Sequence, residues 1–178
     1  MTQNKLANAD QKIRPTRHIC IATGQNLANL IPAVQLGATD VIILETSEMT
    51  ESAKFLSKAL KSRNITSQKI FFDDSSPEKI QESALKIATE FGQGKIVFNA
   101  TGGHKLMTLA LATQLKMADE LHVLYVETKK LRFDWLEPEA EMVGMQNVLK
   151  INDFLQVHGY SQKLSVQHNH VLQQAAEQ

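Results

Sequence analysis

Residues 96–107 read IVFNATGGHKLM. Ile96, Val97 and Phe98 are the β-branched and aromatic residues that suit a buried strand. Asn99, Ala100 and Thr101 then bring small and polar side chains, and Gly102-Gly103 allow a tight corner. His104 and Lys105 open an apolar segment beginning Leu106-Met107 that reads as a helix, whose first backbone N–H groups lack intrahelical partners. A strand, a glycine corner and a helix start in so short a span form the repeating unit of a parallel α/β sheet.

The alternation extends in both directions. HICIAT (residues 18–23) reads as a strand, followed by Leu27, Leu30, Ile31 and Val34 at helical spacing. VIILE (41–45) is an apolar strand, and residues 50–61 form a helix with Phe55, Leu56, Ala59 and Leu60 on one face. KIFF (69–72) supplies a third strand. A third helix starts at Ser76 as N-cap, with Pro77 and Glu78 in its first turn, and runs to Phe91 before Gly92. KIVFN (95–99) is the fourth strand and residues 105–118 the fourth helix. LHVLYVE (121–127) and LRFDWL (131–136), joined by Thr128-Lys129-Lys130, predict a hairpin. The expected fold class is therefore α/β: a Rossmann-like, doubly wound, mainly parallel sheet with a C-terminal antiparallel β-hairpin. Residues 1–17 read as a polar N-terminal extension and 18–147 as the Rossmann domain. Residues 148–178 read as a short helix, capped by Asn152 and ended by Gly159, with a polar tail.

Composition narrows the function. Lys plus Arg and Asp plus Glu are equal at 19 each, so the basic excess of a protein that coats long nucleic acid is absent. An anionic partner must be small and locally held. Cys20 is the sole cysteine, which excludes a disulfide framework or a cysteine-rich zinc site. The N-terminus lacks a signal-like apolar core and no apolar run reaches membrane-spanning length, so a cytoplasmic protein without a membrane partner is expected.

In a sheet ordered 3-2-1-4-5, strands one and four are neighbours at the reversal of strand order, where ligands bind outside the carboxyl ends of the strands. Thr23-Gly24-Gln25-Asn26 and the 99–103 corner should face each other there. Each delivers a helix start that favours an anion. Lys105 adds charge, while Thr23, Gln25, Asn26, Thr101 and His104 add directional hydrogen bonds. Glu45 stands at the second strand's end, where a ribose-binding acid sits in dinucleotide folds. The full dinucleotide fingerprint fails, because its further glycines are replaced by Asn26 and Asn29. Gly94-Lys95 enters a strand rather than a helix, which excludes a P-loop. Glu127-Thr128-Lys129 spells the E-x-K of metal nucleases but falls on a hairpin tip, where charge is expected anyway. His168 and His170 are too few to make a metal site, and no metal or cofactor is expected.

HICIATGQNLANLIPAVQL, VIILETSEM and NATGGHKLM resemble the CARF (CRISPR-associated Rossmann fold) domain, particularly that of effectors fused to a PD-(D/E)xK nuclease. The resemblance spans residues 18–144. It implies a homodimer binding cyclic oligoadenylate, commonly cyclic tetra-adenylate, across a two-fold axis in type III CRISPR antiviral signalling. The implied ligand-binding residues are Thr23, Gly24, Gln25, Asn26, Glu45, Thr46, Asn99, Thr101, Gly102, Gly103, His104, Lys105 and Met107. His104 and Lys105 form the candidate catalytic pair. Relatives often carry Thr or Ser where this chain has His104. The nuclease that follows in such effectors has no counterpart after the linker-like residues 148–160.

Helix four supports a dimer independently: Leu106, Met107, Leu109, Ala110, Leu111, Ala112, Leu115 and Met117 surround most of it, so it needs cover on more than one side. Two readings stand side by side. One is a homodimeric sensor acting with a separate effector protein or as part of a longer one. The other is a metal-independent ring nuclease in which a ribose 2′-OH attacks the adjacent phosphate. A nucleotide-cofactor enzyme on the same fold is a third.

Overall fold

Ile19 and Ile21, Ile42 and Leu44, and Ile96 and Phe98 occupy alternate positions of three neighbouring strands and are all buried on one side. Cys20, Val41, Ile43 and Val97 are buried on the other side. Burial on both faces requires a helical layer on each, and the fold follows from that. A computed structural model describes residues 17–160.

The described chain runs β1 (Arg17–Ile21), α1 (Leu27–Gln35), β2 (Asp40–Glu45), α2 (Thr50–Ser62), β3 (Thr66–Phe71), α3 (Pro77–Phe91), β4 (Lys95–Asn99) and α4 (Lys105–Gln114). It continues through β5 (Glu120–Glu127), β6 (Arg132–Glu137), β7 (Val143–Gly144) and α5 (Ile151–Val157). The sheet order is β3-β2-β1-β4-β5-β6-β7, parallel from β3 to β5 and antiparallel beyond. Helices α3 and α4 cover one face, while α1, α2 and α5 cover the other. The doubly wound α/β class and its reversal between β1 and β4 are as the sequence pattern predicts.

Several boundaries differ from expectation. β3 begins at Thr66 rather than Lys69, because it is the sheet edge and its polar residues are held by backbone pairing to β2. Phe72 lies past its end, buried, with its N–H donating to the Glu45 carbonyl. α4 gives way to a 3₁₀ turn over Leu115–Met117 instead of running on to Ala118. The hairpin strands are displaced by one residue at several ends. β7 was not foreseen, since a two-residue strand has no periodicity to read.

α5 is capped at Lys150, not Asn152: the Asp153 carboxylate accepts the Lys150 N–H at 2.6 Å. The same carboxylate holds the Arg63 guanidinium, with Nε at 2.9 Å, and Arg63 also donates to the Val148 carbonyl at 2.7 Å. With Val157 in the core against α2, this short helix is docked onto the domain rather than trailing from it. The polar extension over residues 1–16 and the His168–His170 pair lie outside the described residues. Among those described, no helix is long and apolar enough to cross a membrane.

Candidate functional site

Both glycine corners rise from the carboxyl end of the sheet at the switch point, and a relay of buried asparagines holds them there. The Asn26 amide nitrogen donates to the Ser52 carbonyl and hydroxyl, both at 2.9 Å, and its oxygen accepts from the Thr23 N–H at 3.0 Å. Asn29 donates to that same oxygen at 3.0 Å and to the Ile21 carbonyl at 2.8 Å. Asn99 donates to the Asn29 oxygen at 3.0 Å and to the Ala28 carbonyl at 2.8 Å. Its own oxygen accepts from the Thr101 hydroxyl at 2.6 Å and N–H at 3.1 Å, and the Thr101 hydroxyl accepts from the Val126 N–H at 2.8 Å. The chain of amides thus joins α2, α1, β1, β4 and β5. Buried amides of this kind must be fully partnered, and these are.

The second corner lies hard against β1. A Cβ on Gly102 would stand 2.6 Å from the Ile21 carbonyl oxygen, and one on Gly103 would stand 2.6 Å from the Ile21 side chain. Gly103 also has φ +78°, in the left-handed region. The N–H groups of Gly24, Gly102, Gly103 and His104 meet no acceptor among the described residues. Neither α1 nor α4 has an acidic residue in its first turn. Together these donors and the two helix starts form a concave backbone surface suited to an anion.

Two cavities flank this surface and share Thr23, Gly24 and Gly103. One, of about 370 Å³, reaches over β4 and β5, adding Gln25, Asn29, Thr101 and Gly102 and ending on Tyr125, Glu127 and Thr128. The other, of about 270 Å³, lies towards β2 and the start of α3, where Thr46, Glu48, Met49, Asp74, His104 and Met107 wall it. His104 is the N-cap of α4 by position but its ring caps nothing; its Nε2 stands 3.7 Å from an Asp74 carboxylate oxygen.

The sequence-derived set is thereby divided. Thr23, Gly24, Gln25, Thr46, Thr101, Gly102, Gly103, His104 and Met107 surround the two cavities. Asn26 and Asn99 line neither; they are buried and spend their polar atoms on the relay. Glu45 also lines neither, and its carboxylate pairs with Lys69 at 3.5 Å. Lys105 is exposed at the first position of α4, outside both linings, and forms no ion pair among the described residues. Sequence reasoning missed Asn29, Tyr125, Glu127, Thr128 and Asp74. The end of β5 was accessible to it, because a parallel neighbour of β4 must end beside the β4 corner. Asp74 was not, since its place depends on the path from β3 to α3.

The family model of the Card1 CARF domain matches residues 18–154. The chain belongs to the CARF family. Among solved structures, this CARF chain is similar to Can2 from Sulfobacillus thermosulfidooxidans in complex with cyclic tetra-adenylate (TM-score 0.71, 22% identity, covering 81% of this chain and 41% of that one). It is similar to protein VC1899 from Vibrio cholerae (TM-score 0.71, 20% identity, 79% and 38% covered). A type III CRISPR defence DNA nuclease activated by cyclic oligoadenylate also matches (TM-score 0.61, 16% identity, 79% and 23% covered). At these identities the likeness is one of fold. The chain spans less than half the length of each structure. No curated protein matches it.

Proposed function

We propose that this CARF chain senses a cyclic oligoadenylate, most readily cyclic tetra-adenylate, as a cytoplasmic homodimer in type III CRISPR signalling. The observation that carries the reading is the backbone surface of Gly24, Gly102, Gly103 and His104, whose donors meet no acceptor among the described residues of a CARF domain. Can2, similar in fold, was solved with that ligand. Leu106 and Leu109 support the pairing: they are 53% and 65% exposed on α4 directly beside the corner, an apolar stripe that a second copy would cover. A two-fold axis there would set two anion surfaces side by side for a ligand that is itself symmetric. A separate effector, or further domains of a longer chain, would carry the output.

Calorimetric titration with cyclic tri-, tetra- and hexa-adenylate and with linear tetra-adenylate tests the reading. Saturable binding of a cyclic form, at least tenfold tighter than linear, is expected. Lys105→Ala should weaken it by about tenfold or more, as loss of a charged phosphate contact does. Equal affinity for linear and cyclic forms would overturn the proposal.

A second reading is favoured by one observation, the His104–Asp74 approach at 3.7 Å beside Lys105. In ring opening, a ribose 2′-oxygen would attack the adjacent phosphorus and the P–O5′ bond would break, leaving a 2′,3′-cyclic phosphate and a 5′-hydroxyl. His104 would take the 2′-OH proton and a proton would pass to the leaving 5′-oxygen. Ring opening that survives EDTA and slows by about a hundredfold in His104→Ala would establish it. A ring still intact after hours with excess protein would leave sensing alone.

A further inference from the structure

The larger cavity contains a group that an anion site would not be expected to hold. Glu127, the last residue of β5, lines it together with the glycine corner. Its side chain is half-buried and has no hydrogen-bond or ion-pair partner among the described residues. A lone carboxylate repels phosphate, so its presence beside Gly102-Gly103 has a cost unless some other part of the ligand presents a donor to it. Its neighbours describe that part. Tyr125, 41% exposed, offers an aromatic surface, and Thr128 a hydroxyl. A flat aromatic group with an N–H donor and a ring acceptor satisfies all three.

We infer that Glu127, with Tyr125 and Thr128, forms a nucleobase subsite that accepts the exocyclic amine of adenine and thereby sets base specificity. The inference rests on the cyclic oligoadenylate reading above. The N6 amine is the only donor on adenine's Watson–Crick edge, and its N1 is an acceptor suited to a hydroxyl. The carboxylate takes the amine, the Thr128 hydroxyl faces N1, and the Tyr125 ring packs on the base. The phosphates stay on the corner's N–H groups, away from the acid. The residues of the E-x-K hairpin tip thus select the base instead of holding a metal.

The test measures dissociation constants of two rings on the wild type, Glu127→Gln and Glu127→Ala. One ring is cyclic tetra-adenylate; the other carries purine riboside, identical except that the amine is absent. The wild type should prefer the adenylate ring by about tenfold, the effect of one hydrogen bond to a charged acceptor. In Glu127→Ala the preference should fall to near unity, with Glu127→Gln between. Removing the negative charge strengthens both rings alike, so the ratio isolates the amine contact from phosphate repulsion. Circular dichroism and melting temperature check that both variants fold as the wild type does. A wild-type preference that persists in Glu127→Ala overturns the inference alone, and so does a wild type indifferent to the amine. A wild type that binds neither ring overturns the cyclic oligoadenylate reading and this inference with it.

Discussion

Gly102 has no room for a methyl group, since its Cβ would fall 2.6 Å from the Ile21 carbonyl oxygen, which accepts from the buried Asn29 amide at 2.8 Å. Gly102→Ala should therefore push the corner off β1. A loss of about 2 kcal/mol in urea unfolding is expected, as for overpacking, together with loss of ring binding. Asn99→Ala should cost about 3 kcal/mol, because it strands the Thr101 donors and the Asn29 and Ala28 acceptors in a buried place. His18 makes a third prediction. It is buried in β1, and desolvation pushes its pKa down from 6.5 to about 4. Between those values the unfolded chain binds a proton that the folded chain refuses. Stability is then fully present above about pH 6.5 and falls, by about 3 kcal/mol in all, as pH drops towards 4. Urea midpoints at pH 7 and pH 5 should show the loss, and His18→Leu should flatten it. At this scale Gly102 and Gly103 were legible in the sequence, because the close approach to β1 leaves room only for glycine. The roles of Asn26 and Asn99 were not. An asparagine beside a glycine turn reads the same whether its amide faces a ligand or a neighbouring amide, and the decision lies with Asn29 and Ser52 on other elements.

Among the elements, α4 and α5 carry the sharpest expectations. Leu106 and Leu109 are exposed on α4, whereas Leu111 and Leu115 lie in the chain's own core. Substituting the latter pair would test folding. Leu109→Asp tests pairing: the wild type should sediment as a dimer at micromolar concentration and the variant as a folded monomer. α5 depends on the Arg63–Asp153 ion pair. The Arg63 hydrogen bond is the main cause that holds the Asp153 carboxyl below its usual range. Its contribution is therefore present above the ordinary carboxylate pKa of about 4 and is lost as pH falls through the lowered value. Asp153→Ala should speed tryptic cleavage at Lys150 at neutral pH, with the rest of the domain intact. The central elements were readable because two-sided burial writes continuous apolar runs, as in VIILE and KIVFN. The edges were obscured for the opposite reason. β3 pairs on one side only and exposes most of its side chains, and β7 is too short to show a period.

Taken whole, the molecule has no net charge, and the cavities beside its glycine corners carry Glu48, Asp74 and Glu127. Affinity for a small ring should accordingly depend only weakly on salt. Between 50 and 300 mM salt the dissociation constant should change by less than about tenfold, against the far steeper loss of proteins that neutralise many phosphates. Ordinary single-stranded RNA should bind poorly under the same conditions. A steep salt slope would indicate a polyanion-binding face rather than a confined ring site. The alternation of strands and helices made the place of the candidate site legible in the sequence, since strand order alone places the β1 and β4 corners together. Its acidity was not, because the acids come from the ends of β5 and the β3–α3 connection, brought in by the whole sheet.

The asparagine relay has a consequence for how the site responds in time. Its amides fix the floor beneath both corners before any ligand arrives, while the N–H groups of Gly102 and Gly103 have no protein acceptor among the described residues. Hydrogen–deuterium exchange of the free protein should therefore be slow at Thr101 and Val126 and fast at Gly102 and Gly103. An arriving ring would slow the fast pair and leave the slow pair unchanged, so occupancy could be timed directly from two neighbouring glycines.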